Sequence, residues 1–87
     1  MKLVILYRPR SEKARSVEEY VREFYRRTGH KIELLDVDSK QGSQTAQLYD
    51  IMQQPAVVAL AEDGKLVQCW LGESMPLMDD VTGYLTR

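Results

Sequence analysis

Three cations flank one hydroxyl in the stretch YRPRSEKA, where Arg8, Arg10 and Lys13 surround Ser11. The stretch joins a short apolar run to the start of an amphipathic segment. Amides at a helix start attract anions, so this junction could hold a phosphate, a carboxylate or an acidic side chain of a partner. Its plainer reading is a solvated, charged loop. A second group, Gln53-Gln54-Pro55, stands just before the most apolar segment of the chain. Cys69 is the only thiol. As a small apolar residue within a strand it reads as packing, because buried free cysteines are usually inert. Trp70 and Tyr7 are of the types enriched at binding hot spots, or else they pack under a helix.

The remaining candidates carry less. Arg22, Arg26, Arg27, His30 and Lys31 are basic, but no aromatic side chains interleave with them as a stacking platform would require. No nucleic-acid partner is expected. His30 follows a glycine and has no metal-ligand spacing to a second residue, so it reads as a surface residue. With one cysteine there is no disulfide framework and no thiolate zinc site.

These residues must be positioned by a small chain. Its 87 residues point to a single domain spanning 1–87. Hydrophobic residues at 44% and charged residues at 29% are ordinary globular values. A formal net charge of -1 gives no general pull toward nucleic acid or an anionic membrane. The apolar run Leu3 to Tyr7 is too short for a signal-peptide core or a membrane span, and arginines close it. Scarce cysteine fits a reducing compartment, and the expectation is a cytoplasmic protein with no membrane partner.

Leu3 to Tyr7 is apolar on both parities, which predicts a strand buried on both faces. Ser11 is the expected N-cap of a helix whose stripe is Ala14, Val17, Val21, Phe24 and Tyr25, with Tyr20 beside it. Early glutamates and late arginines complement the helix dipole, and Gly29 is the expected stop. Lys31 to Val37 predicts a second strand, parallel to the first. A shorter helix is expected from near Ser43 to Met52, burying Ala46, Leu48, Tyr49, Ile51 and Met52 in part. Ala56 to Ala61 is apolar throughout and predicts a central strand. The turn EDGK then leads to an antiparallel strand, Leu66 to Leu71, with Val67, Cys69 and Leu71 on one face. Ser74 is the expected cap of a last helix, with Pro76 in its first turn and Leu77, Val81, Tyr84 and Leu85 as its stripe.

The order β-α-β-α-β-β-α, with a proline before the third strand, resembles the thioredoxin/glutaredoxin-like fold over nearly the whole chain. LVILYRPRSEKA is similar to glutaredoxin segments in which a strand ends in Tyr, a basic residue and Pro before Cys-x-x-Cys. YDIMQQPAVVAL is similar to the segment leading into the family's cis-proline, which would be Pro55. EDGKLVQCWLG matches the hairpin and its closing glycine. The resemblance implies an α/β domain with a four-stranded mixed sheet and three helices. It also implies that Ser11 and Ala14 stand where the two cysteines would be. A serine hydroxyl gains no useful acidity from a helix N-terminus and forms no disulfide.

The expectation is therefore a redox-inactive binding or scaffold module that needs no cofactor. Its surface is Arg8, Arg10, Ser11 and Lys13 with Gln54, Pro55 and Trp70, and its partner is a protein or an extended peptide. A homodimer is also expected to be open to it, since one sheet face has a single helix to cover it. The alternative is a divergent glutaredoxin-like or glutathione-dependent enzyme in which Ser11 orients a bound thiolate. Against that, Gln53 and Gln54 depart from the family's usual Thr-Val-Pro run, and Asp79 and Asp80 fall too late for its glutathione-carboxylate segment.

Overall fold

The computed structural model describes residues 1–72 and 75–85, the side chain of Leu85 excepted. The elements are β1 (Lys2–Tyr7), α1 (Ala14–Thr28), β2 (Ile32–Asp36), α2 (Lys40–Leu48), β3 (Ala56–Leu60), β4 (Leu66–Leu71) and α3 (Met78–Leu85). They follow the β-α-β-α-β-β-α order expected from the sequence. The four strands form one mixed sheet in the order β2-β1-β3-β4. β1 runs parallel to β2, with Tyr7 beside Asp36, and antiparallel to β3, with Leu6 beside Ala56. β3 and β4 are antiparallel, with Val57 beside Trp70 and Val58 beside Cys69, and a bulge interrupts their register at Ala59/Leu60.

The two-sided apolar pattern of β1 and β3 reflects their central places. Leu3, Ile5, Tyr7, Val57 and Ala59 meet Val17, Phe24 and Val81 on one face, under α1 and α3. Val4, Leu6, Ala56, Val58 and Leu60 meet Val37, Ala46 and Ile51 on the other, under α2. Strand interiors of this kind lose a transfer free energy of roughly 25 cal/mol per Å² of apolar surface if exposed, and that burial holds the sheet between its helices.

The helix boundaries correct the sequence reading. Ser11 does not cap α1: its hydroxyl donates 2.7 Å to the Arg8 carbonyl, and α1 begins after Lys13 with no side-chain cap. Gly29 does close α1, at φ 77, and its N–H donates to the Tyr25 carbonyl at 2.8 Å. Tyr25 itself points outward, 49% exposed, with the Lys31 ammonium over its ring.

α2 starts earlier than Ser43 because Ser39 is its cap, the Ser39 hydroxyl accepting from the Gly42 N–H at 3.0 Å. It also ends earlier. Asp50 takes φ 55, the Ile51 N–H donates to the Ala46 carbonyl at 2.8 Å and the Asp50 N–H to Gln47. Those two bonds form a Schellman closure, so helical periodicity stops at Leu48. Ile51 is buried by the closure, while Leu48 at 74% and Met52 at 81% stay exposed. α3 begins at Met78, later than expected, with Asp79 and Asp80 in its first turn. Leu77 precedes the helix and is exposed rather than part of its stripe, and Val81 is fully buried. Ser74, the expected cap, lies outside the described residues.

Candidate functional site

The parallel pairing of β1 with β2 sends the chain out of both strands at the same end of the sheet, and β3 enters there. Three loops meet at that end: 8–13, 37–39 and 53–55. Arg8 ties them together. Its Nε donates to Asp38 Oδ2 at 3.3 Å and its Nη1 to Gln54 Oε1 at 3.3 Å. The Arg8–Asp38 pair is well exposed, so its worth is about 0–1 kcal/mol and its main effect is to orient the guanidinium. The Gln54–Pro55 peptide bond is cis.

A cleft of about 80 Å³ lies between these loops, lined by Tyr7, Arg8, Ser11, Lys13, Gln54 and Pro55. Five of the seven residues singled out in the sequence therefore come together. Ser11 is held twice, its N–H and its hydroxyl both donating to the Arg8 carbonyl at 3.0 and 2.7 Å. Tyr7 is buried at the cleft floor, and its hydroxyl donates to Glu18 Oε2 at 3.2 Å. Burial, then that hydrogen bond and the nearby charges of Glu18 and Asp36, raise the Tyr7 phenol above its ordinary pKa. Tyr7 is thus a neutral donor committed to the first turns of α1.

Arg10 lies in an adjoining hollow of about 390 Å³ with Arg8, Pro9, Ser11, Asp36 and Asp38. The two aspartates were not picked out from the sequence. The signal was available: a parallel β1–β2 pair brings residues just past Asp36 beside residues just past Tyr7. Their carboxylates change the electrostatics, because the junction is of mixed sign and not a purely cationic anion trap.

Trp70 is elsewhere. It lies on the α1/α3 face, opposite Val57 on β3, and meets Tyr84 edge-on with ring centroids 5.4 Å apart. Of the two readings the sequence left open for Trp70, packing under a helix is the one the structure takes, away from the face that α2 covers alone. Odd positions of β4 fall on that face instead, including Cys69. Burial pushes the Cys69 thiol upward, away from the thiolate, and β3 lies between its strand and β1. The late arginines of α1 fold back on their own helix: Arg26 and Arg27 donate to Glu23 at 2.7 and 2.9 Å and hold its carboxyl below the usual range.

Several solved structures are similar to this chain, and they are thioredoxins. The thioredoxin of Fasciola hepatica is 20% identical, with 97% of this chain and 76% of that one covered and a TM-score of 0.70. Thioredoxin 1 of Thermosipho africanus TCF52B is 12% identical over 99% of this chain and 96% of that one, also at 0.70. The reduced thioredoxin pre-protein of Schistosoma mansoni is 21% identical over 98% and 77%, at 0.68. The fold is thioredoxin-like. No protein-family model matches the chain, and no curated protein matches it.

Proposed function

We propose that this thioredoxin-like chain binds an extended protein or peptide segment without exchanging disulfides. One observation carries the reading. The cleft between the head of α1 and the 53–55 loop is built, but the group at its mouth is the Ser11 hydroxyl, already donated to the chain's own Arg8 carbonyl. Thiol–disulfide exchange needs a thiolate to attack sulfur, and Ser11 and Ala14 supply none. What the cleft does offer is hydrogen bonding: the backbone of Gln53 and Gln54, and the Gln54 amide and Arg8 guanidinium, which pair with each other in the free chain. An extended segment pairs with such a backbone through its main chain and adds specificity through its side chains. The mixed charges of Arg8, Arg10, Asp36 and Asp38 favour a polar, mixed-charge segment over a simple anion. The chain's single cysteine fits a reducing, cytoplasmic setting.

The second reading is a glutathione-dependent enzyme in which Ser11 donates to a bound thiolate. It requires the Ser11 hydroxyl to leave Arg8 when the thiol arrives. The cations of Arg8 and Lys13 are the feature in its favour.

The test is an amide-shift titration with a capped heptapeptide of alternating valine, glutamate and lysine, and a separate one with reduced glutathione. Saturable shifts at Ser11, Gln54 and Ala56 with the peptide, weakened roughly tenfold by Arg8→Ala, are expected from the loss of a charge-assisted contact. Shifts confined to other surfaces would overturn the binding site. Saturation by glutathione, lost in Ser11→Ala, would favour the enzyme.

A further inference from the structure

The two outer strands of the sheet are built differently. β2 carries Glu33 and Asp36 within its five residues, and Lys2 of β1 pairs with Glu33 at 3.0 Å. Such charges guard an edge, because a second strand laid against it meets them. β4, at the opposite edge, reads LVQCWL: six residues with no charge and no proline. Among the described residues no strand pairs with its outer side. Its end is also apolar and half exposed at Leu71.

The hydrogen bonds show which groups the β4 edge presents. The Gly72 N–H points inward, donating to the Pro55 carbonyl. Cys69 and Leu71 have the opposite parity, so their N–H and C=O groups point outward. The Cys69 N–H is satisfied only locally, by the side-chain oxygen of its neighbour Gln68 at 2.9 Å. Gln68 in turn donates to the Tyr84 hydroxyl at 3.0 Å. A side-chain amide thus stands in for a missing strand. It can be displaced by one, because a backbone carbonyl accepts the same N–H.

We propose that β4 pairs antiparallel with β4 of a second copy of this chain across a two-fold axis at Trp70, making one continuous sheet. A second copy is the occupant that the charge pattern favours. In a two-fold pairing a strand meets its own sequence, so its charges meet charges of the same sign; β4 has none, whereas β2 would bring the acidic groups Glu33 and Asp36 of the two copies against one another. The register follows from the outward groups. Setting Cys69 opposite Leu71 of the other copy lets each pair exchange both N–H···O bonds, four bonds in all by strand geometry. Gln68 releases the Cys69 N–H, and Leu71 is covered on the α2 side. On the other face Trp70 meets its counterpart. A seam of one strand pair lies at the small end of protein interfaces, so the dissociation constant is on the order of 100 µM. The seam uses none of the cleft residues, so this inference stands apart from the peptide-binding reading.

Sedimentation equilibrium of the full chain from about 5 µM to about 1 mM, with amide hydrogen exchange at both limits, tests it. Expected are a shift from the 10.1 kDa monomer mass toward twice that value, and protection of the Cys69 and Leu71 amides at high concentration only. The emission of Trp70, the one tryptophan, should change over the same range. Leu71→Lys, at an exposed site, should keep the monomer's circular dichroism and weaken association at least about tenfold. A monomer throughout would overturn the proposal. So would a dimer that Leu71→Lys leaves intact or one that leaves those two amides unprotected, and so would an added foreign peptide that protects them while the chain stays monomeric.

Discussion

The face of the sheet under α1 and α3 is closed, and the face under α2 is not. On the first, a helix of 15 residues lays Ala14, Val17 and Phe24 onto β1 and β3, and Val81 of α3 completes the layer. On the second, a helix of 9 residues contributes Gly42 and Ala46, and the remaining fill comes from Val37 and Ile51 in the flanking loops. Small side chains let α2 sit close, but they cover less. Leu48, Met52, Val67 and Leu71 are left in solvent. The difference teaches that the first face is held by volume, and the second by close approach of backbone.

That contrast can be broken most sharply at Phe24. It is fully buried, and Phe24→Ala should cost about 3–5 kcal/mol through lost burial and a residual cavity. In a domain this small the loss is a large part of the total stability, and urea unfolding followed by circular dichroism reads it.

The corresponding weak point of the second face is Gly42. A Cβ there would lie 1.9 Å from the Asp36 carbonyl oxygen. That carbonyl also accepts the Ser39 N–H and hydroxyl, at 3.0 and 2.6 Å, so it cannot simply rotate away. Gly42→Ala should destabilise by about 1–3 kcal/mol, typical of forced overpacking, although alanine is the better helix former. Stability equal to or above that of the native chain would show that close approach does not hold α2.

Alkaline titration probes the packing of the first face. The Tyr20 hydroxyl is buried there with no hydrogen-bond partner among the described residues, and burial, then the charge of Asp80, push its pKa up to about 12 from 10.0. The folded state therefore favours the neutral phenol. The stability this contributes is complete below pH 10 and is lost as pH rises from there through about 12. Tyr20→Phe should reduce that alkaline loss and cost little at neutral pH, because it removes an unpartnered buried hydroxyl. Unfolding midpoints measured between neutral pH and the alkaline range check both parts.

The smallest effect belongs to Met52. Met52→Ser should change stability by about 0.5 kcal/mol or less, because the side chain lies in solvent past the closure of α2. A larger loss would mean that the second face is packed by residues beyond Ile51.

The same contrast explains what the sequence made legible. The strands, their order and α1 were readable because apolar parity and helical spacing are direct images of burial on two faces or one. Leu48 and Met52 misled because they continue the apolar spacing past a helix that its cap has already ended. The cap uses Asp50 in a conformation usually taken by glycine, so composition gave no warning. Trp70 was placed on its face by parity, but which face lacked cover depends on helix length and position. At the cleft, Arg8, Ser11, Lys13, Gln54 and Pro55 were legible through a family resemblance. Asp36 and Asp38 required reasoning from the parallel register.

The head of α1 is proposed to bind an extended segment without exchanging disulfides. Insulin disulfide reduction by dithiothreitol, with and without the purified chain, tests this most directly. Identical rates are expected at all protein concentrations, for the native chain and for Ser11→Ala alike. A rate that rises in proportion to added protein would contradict the proposal.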